Sequence, residues 1–114
     1  MMQDWTQLRG ELGERVSELA KLSPEAVRGV RSLGDAPAKT GRLEPKVHEL
    51  IALAVAVTTR CDGCISVHAK KAVDFGATPE EISEALAVAI ALNAGAAMVY
   101  SARVLEAVSS ATQA

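Results

Sequence analysis

Two cysteines and a histidine lie close together near the middle of the chain, with Cys61 and Cys64 separated by two residues and His68 four residues further on. On a helix, residues three and four apart lie on the same face, so both sulfurs and the imidazole would face one way. A helix N-terminus stabilises negative charge, histidine can accept a thiol proton, and Arg60 lies beside the pair. All three features favour a thiolate, which is the nucleophile in peroxide reduction and in disulfide exchange.

A pair of cysteines at this spacing can complete a redox cycle that one cysteine cannot. One thiolate attacks a peroxide oxygen and becomes a sulfenic acid, and the other thiol condenses with it, expels water and leaves a disulfide. A separate electron donor must then restore the dithiol. Because Cys61 and Cys64 would be one helical turn apart, the disulfide could close with little movement.

A carboxylate precedes this pair, since Glu49 is followed by eleven residues and then Cys61. Glu49 lies within an otherwise apolar stretch, where a carboxylate is costly to bury unless it has a partner. His68 would supply that partner if the two segments form a helical hairpin. Glu49 could then orient the imidazole, or pass protons through it directly or by way of water. Surface placement of Glu49 is the alternative.

Zinc binding is the main alternative to redox chemistry, because Cys61, Cys64, His68 and His48 are ligands of the right type. Ligands three and four apart on one helix, without a second pair of cysteines, make a poor tetrahedral site, so no metal and no cofactor are predicted. His48 is expected to be structural or exposed, although it could border the site. A thioredoxin-like interpretation fails because no βαβ pattern surrounds the motif.

The elements that would position these residues are helices. Apolar residues recur at steps of three and four, and no segment alternates as a strand does. Serine, threonine and proline mark helix starts, and glycine marks stops. The sequence predicts an all-α bundle of about five to six helices, near residues 4–21, 24–33, 45–58, 62–75, 79–92 and 96–108, with a connector at 34–42, a bend at 93–95 and a frayed tail at 109–114.

The composition predicts a thin core within one domain, residues 1–114. Apolar residues make up 49% of the chain and aromatics only 3%, so the core must consist of small aliphatic side chains. The segment 50–57 is apolar on every side, and 85–97 is rich in alanine. Helices of this kind are buried by their own fold or by a neighbouring subunit, so an oligomer is expected. In the last helix Val99, Val104 and Leu105 are expected to face inward.

The charge pattern restricts the partners and the location. Twelve basic and 14 acidic residues give a net charge of −2, with no basic run that would follow a phosphate backbone. A nucleic acid partner is therefore not expected. The first ten residues lack the apolar core of a secretory signal. The apolar stretch 85–100 is interrupted by Asn93 and is shorter than the roughly 18–20 residues of a membrane span. A cytoplasmic protein without membrane contact is the expectation.

The motif and its flanks resemble a known family. Glu49, then Cys61-x-x-Cys64 and His68 at this spacing, is similar to the signature of the alkylhydroperoxidase D group, within the carboxymuconolactone decarboxylase-like superfamily. The resemblance covers roughly Leu43 to Leu105, and the first forty residues match nothing comparable. The flanking segments that also look similar are 46–51 and 75–82.

The resemblance implies an all-helical protein that assembles into homotrimers or homohexamers and reduces hydroperoxides at the expense of a dithiol donor. It assigns Cys64 as the cysteine that attacks the peroxide and Cys61 as proton donor and resolving partner. Glu49 and His68 would form the proton relay. One departure is Gly63, where alkylhydroperoxidase D has a second histidine. This difference weakens the expectation of efficient peroxidase activity but leaves dithiol cycling unaffected.

Two other functions follow from the same residues. A redox-sensing or scaffold protein would use the dithiol to switch its assembly without turnover. A lactone decarboxylase-type enzyme is the weaker alternative, because the decarboxylase branch of the superfamily lacks the cysteine pair.

Overall fold

The computed structural model describes residues 1–113, which form five α-helices and no strand. The all-helical fold predicted from the sequence is confirmed. The helices are α1 (Trp5–Leu22), α2 (Pro24–Thr40), α3 (Pro45–Thr59), α4 (Asp62–Asp74) and α5 (Pro79–Thr112). Helices α3 and α4 pack as a hairpin, α5 packs against α3, and α1 packs against both α2 and α4.

Side chains at the helix ends explain where most helices begin and stop. The carboxylate of Asp4 accepts a hydrogen bond from the backbone N–H of Gln7 and caps α1. Thr78 and Glu81 form a reciprocal capping box that starts α5. Gly76 follows α4 with a φ of 85°, a left-handed conformation that favours glycine. Prolines occupy the first turn of three helices, at Pro24, Pro45 and Pro79.

The predicted end of α2 is wrong. The helix continues through Gly34 and Pro37 to Thr40, so the predicted connector at 34–42 shrinks to a few residues. A glycine in a helix costs only about 1 kcal/mol relative to alanine, which weakens a helix without ending it. The true end lies at Gly41, which has a φ of 66° and donates its N–H to the carbonyl of Pro37.

The predicted bend and frayed tail in the last part of the chain are also wrong, because α5 is one helix of 34 residues. The amide of Asn93 donates from Nδ2 to the Ala89 carbonyl and to Oγ1 of Thr58, each at 2.8 Å. These bonds hold Asn93 within the helix and tie α5 to α3. The predicted tail is helical as far as Thr112, and Ala114 lies outside the described residues.

The core lies between α3, α4 and the start of α5. Its buried centre consists of Leu53, Ala72 and Ala77, with Leu50, Ala69 and Ile82 packed against it. Outside this region, much of the apolar surface is exposed. On α3, Ile51 and Val55 are about half exposed, so the helix is buried on one side only. On α5 the expectation of inward side chains is wrong for a single chain, since Val99, Val104 and Leu105 are all exposed.

The length of α5 changes one expectation about membranes. The helix contains an 18-residue window with a mean hydropathy of 1.7 that is only 6% buried, so by length and composition it could span a membrane. The helix runs through Asn93 without a break and is longer than the apolar stretch 85–100 on which the membrane expectation rested. A long helix that packs against other subunits has the same properties, and length and composition alone carry no membrane assignment.

Candidate functional site

The cysteine pair lies at the start of α4, directly after the tight turn that follows α3. Arg60 makes this turn with a φ of 55°. Cys61 is the N-cap of α4, and its Sγ accepts a hydrogen bond from the backbone N–H of Cys64 at 3.1 Å. The sequence therefore places both sulfurs at the positive end of a helix dipole, which stabilises a thiolate.

Cys61 and Cys64 are joined by a disulfide. Their Cα atoms are 5.2 Å apart, within the usual range for a disulfide, so one turn of helix brings the sulfurs together without displacement of the backbone. Both residues are half-buried, and Asp62 between them is exposed in the first turn. The arrangement can store and release two electrons.

The hairpin also brings Glu49 and His68 together. Oε2 of Glu49 lies 2.6 Å from Nδ1 of His68, and Glu49 is only 8% exposed while His68 is half-buried. An ionised carboxylate can only accept a hydrogen bond, so Nδ1 donates and the lone pair of a neutral imidazole is then on Nε2. A buried carboxylate of this kind stabilises the imidazolium that forms when Nε2 takes a proton.

A cavity of about 630 Å³ adjoins this pair. Glu49, His68 and His48 line it, so His48 borders the candidate site, which was the alternative to a purely structural role. Lys71 and Phe75 continue the wall along α4. The remaining lining residues come from the end of α2, the loop after it and α3: Gly34, Asp35, Pro37, Ala38, Gly41, Arg42, Leu43, Glu44, Pro45 and Ala52.

Helix α1 contributes to the site, although the sequence pattern assigns it no role there. Leu12 packs on Gly63, the residue beside Cys64, and a Cβ atom at position 63 would lie 2.9 Å from Cδ1 of Leu12. Arg9 donates from Nη1 to the backbone carbonyl of Ser66 at 3.3 Å. The signal that could have identified this contact is Gly63 itself, a glycine in the first turn of a helix.

Other candidates have structural roles or lie elsewhere. Asn93 links α5 to α3, and Tyr100 stacks under the guanidinium of Arg103 at 5.0 Å. Neither Asn93 nor Tyr100 lines the cavity beside Glu49. Within residues 1–113, no three His, Cys, Asp or Glu side chains are grouped as metal ligands.

The fold and the site together define a helical dithiol protein, in which one hairpin carries a Cys-x-x-Cys disulfide and a Glu–His pair. The model of the Carboxymuconolactone decarboxylase family matches residues 24–107, and the chain belongs to this family. The resemblance seen in the sequence is thereby confirmed at the level of the superfamily. The matched range begins after α1, which ends at Leu22.

Individual relatives are similar over most of the chain. A carboxymuconolactone decarboxylase family protein from Legionella pneumophila has a crystal structure that matches with a TM-score of 0.72 and 36% identity, over 90% of this chain and 92% of that one. An uncharacterised protein of Haemophilus influenzae is 50% identical over 96% of each chain. An uncharacterised protein of Cupriavidus necator is 32% identical over 83% of this chain and 84% of its own length.

Proposed function

We propose that the protein is a thiol-dependent peroxidase or disulfide oxidoreductase that reduces hydroperoxides through Cys61 and Cys64. The observation that carries the proposal is that one hairpin holds both a disulfide-bonded cysteine pair at a helix start and a buried Glu49–His68 hydrogen bond of 2.6 Å. Membership of a family that includes enzymes supports a catalytic role. The substrate would be a hydroperoxide and the donor a dithiol.

The proposed cycle assigns each side chain one step. His68 accepts the thiol proton of Cys64, and Glu49 stabilises the resulting imidazolium. The thiolate attacks one peroxide oxygen, the O–O bond breaks, and the alkoxide leaves as an alcohol after it takes a proton from the relay or from Cys61. Cys64 is then a sulfenic acid.

The second half of the cycle closes and reopens the disulfide. The Cys61 thiolate attacks Sγ of Cys64, and the hydroxyl group leaves as water after it takes a proton. An external dithiol then reduces the disulfide through a mixed disulfide and is itself oxidised, so two electrons pass from donor to peroxide in each cycle. The described state, with the disulfide formed, corresponds to the oxidised end of this cycle.

The setting of the proposed reaction is a cytoplasmic homotrimer or homohexamer. The support is physical: α5 and one side of α3 expose more large apolar side chains than an isolated small domain tolerates in water. No nucleic acid partner is proposed, because the net charge is −2 and no basic run is present in the sequence.

The experiment that tests the function is consumption of cumene hydroperoxide with dithiothreitol as donor. We expect turnover by the wild-type protein and its loss in Cys64→Ser, because the remaining cysteine, Cys61, has the resolving role in the proposed cycle and does not replace Cys64 as the attacking residue. Asp62→Asn is the matched control, since it changes an exposed residue of the same turn and should keep turnover. Full activity of Cys64→Ser would refute the assignment.

A second function is supported by the contact of α1 with the dithiol turn. Because Leu12 packs directly on Gly63, a change of redox state at the neighbouring cysteines could alter how α1 is held, and a redox-sensing or scaffold protein would work in this way. Light scattering of the reduced and the oxidised protein separates the two functions. A change of mass without peroxide turnover would favour the switch.

A further inference from the structure

The glycine between the two cysteines lies where α1 approaches α4 closely. Gly63 lies in the first turn of α4, and positive φ values occur in the described chain at Gly41, Gly76 and Arg60 rather than here. Turn geometry therefore does not demand glycine at position 63. The close neighbour is Leu12, because a Cβ atom would lie 2.9 Å from Cδ1 and 3.9 Å from Cδ2, and the end of that side chain would have to shift to make room. Non-bonded carbons prefer about 3.5–4.0 Å.

A second contact fixes which residues of α1 lie against which residues of α4. Arg9 lies three residues before Leu12, and Ser66 lies three residues after Gly63. The Arg9 guanidinium donates to the Ser66 carbonyl, and Ser66 is only 1% exposed. Contacts that run in opposite directions along the two helices show that α1 is antiparallel to α4. Trp5 and Lys70 continue this pairing, since both line one shallow cavity between the same helices.

This register places the side chain of Leu12 over the turn that holds both sulfurs. One side of the turn is therefore covered by a branched apolar side chain, so a reagent that approaches from the side of α1 meets Leu12 first. The covering helix lies outside the range of the family match, which begins at residue 24.

We propose that Leu12 is a specificity-determining residue that admits slender thiols to the Cys61–Cys64 disulfide and hinders thiols with bulk close to the sulfur. The inference rests on the proposed function, because the donor is the reductant of that cycle. The donor thiolate forms a bond to one sulfur, and the other cysteine leaves as a thiolate. A second donor thiol then attacks the mixed disulfide, so the donor is oxidised to a disulfide and the protein gains two electrons. Access to the attacked sulfur sets the rate of the first step.

The test compares two uncharged thiols, 2-mercaptoethanol and the bulkier 1-thio-β-glucose, as reductants of the oxidised protein. The measured quantity is the ratio of their second-order rate constants, followed by the appearance of free protein thiols. Because the same two thiols are used on every variant, their intrinsic reactivities cancel. We expect Leu12→Ala to raise the relative rate of thioglucose at least about fivefold, which corresponds to about 1 kcal/mol in the barrier.

The controls make the outcome decisive. Leu19→Ala removes the same side chain from an exposed part of α1 and should leave the ratio unchanged. If Leu12→Ala lost helical content by circular dichroism, Leu12→Val would replace it, with a smaller rise in the same direction. An unchanged ratio in a folded Leu12 variant would overturn the inference and leave the proposed function intact. A wild-type disulfide that neither thiol reduces would instead contradict the proposed function.

Discussion

Glu49 and His68 are nineteen positions apart in the chain, yet Oε2 of the carboxylate lies 2.6 Å from Nδ1 of the imidazole. The contact joins α3 to α4 within their hairpin, and the carboxylate is almost fully buried. A buried carboxylate that accepts from Nδ1 fixes the tautomer of the ring, so that Nε2 is the atom able to take a proton. His68, the imidazole of this pair, lies one helical turn beyond Cys64, where the proposed function places a proton acceptor.

The first prediction concerns this pair. We expect Glu49→Gln to lower kcat/KM for cumene hydroperoxide on the order of 100-fold, because the neutral amide no longer stabilises the imidazolium. The pH profile of kcat/KM should change shape as well as height, which a merely structural role would not produce. Steady-state kinetics between about pH 5 and 8 provide the measurement.

Its matched control is Glu84→Gln, an identical change at an exposed position of α5. That variant should keep the wild-type profile. An unaltered profile in Glu49→Gln, with the protein folded by circular dichroism, would remove Glu49 from the relay.

The hairpin was predictable because its signals are local. Short-range signals mark where the helices lie. They are the proline after Glu44 with the run of apolar residues that follows it, the cysteine motif, and the capping box at Thr78. Once both helices are fixed, the short turn between them requires antiparallel packing, and Glu49 then faces α4. Local rules of this kind depend on residues only a few positions apart, and a single sequence displays them directly.

The second prediction separates the roles of the two cysteines. In Cys61→Ser the attacking sulfur remains but no partner can resolve it, so one equivalent of peroxide should be consumed and a sulfenic acid should persist on Cys64. Dimedone labelling followed by mass spectrometry of the intact protein would detect the adduct. Cys64→Ser treated in the same way should remain unlabelled. Equal labelling of both variants would contradict the assignment of Cys64 as the attacking residue.

The third prediction concerns the stability of the contact between α1 and α4. Gly63→Ala places a Cβ atom against the end of the Leu12 side chain, which must move to make room. That cost opposes the gain of about 1 kcal/mol that alanine has over glycine in a helix, so the change should gain clearly less than this in the wild-type background and more in the background of Leu12→Ala, where the methyl groups are absent. Urea unfolding of the four proteins of this double-mutant cycle measures the coupling.

The corresponding control cycle combines Leu12→Ala with Gly29→Ala, since a Cβ atom at position 29 would meet nothing within 4 Å. Those two changes should be additive. Additivity in the cycle of Leu12 and Gly63 as well would show that these two positions are not in contact in solution.

Contacts between distant parts of the chain could not be predicted from local signals. The approach of Leu12 to Gly63 depends on how α1 is laid across α4, and the apolar spacing of α1 is compatible with several partners. The predicted break at 93–95 failed for a similar reason: the partner of the Asn93 amide is Thr58, on another helix. A local rule that treats asparagine and glycine as breakers cannot take account of a hydrogen bond from 35 residues away.

The fourth prediction concerns assembly. Ile90 and Leu92 are exposed on α5 beside many other apolar side chains, an arrangement typical of a subunit interface. We expect the wild-type protein to sediment as a homotrimer or homohexamer at micromolar concentration, and Leu92→Asp to shift it towards a monomer. Leu22→Asp introduces the same charge at an exposed position of α1 and should leave the mass unchanged. A wild-type protein that sediments as a stable monomer would refute the prediction.

The last prediction is a pH dependence at the ion pair of Lys46 and Glu81, whose Nζ and Oε2 atoms are 2.9 Å apart. The hydrogen bond to Glu81 raises the pKa of Lys46 above its ordinary value. The hydrogen bond to Lys46, assisted by the backbone N–H of Thr78, lowers the pKa of Glu81. A lowered carboxylate pKa contributes stability above the unfolded value of about 4.3, and the contribution is lost as pH falls through the folded pKa.

The raised pKa of Lys46 has the opposite sign, so its contribution is complete below the unfolded value of about 10.4 and is lost as pH rises through the folded pKa. Glu81→Gln keeps an oxygen for the capping box but removes the ion pair, so it should lower the melting temperature slightly within this window. Because the pair is partly exposed, solvent screens it and the effect is small. Glu80→Gln is the control, because it removes the same charge from the same first turn. The helix-dipole effect is therefore equal in the two variants and drops out of their difference. The difference in melting temperature between the two variants should vanish as pH falls through the lowered pKa of Glu81, and a difference independent of pH would show that the ion pair adds nothing in solution.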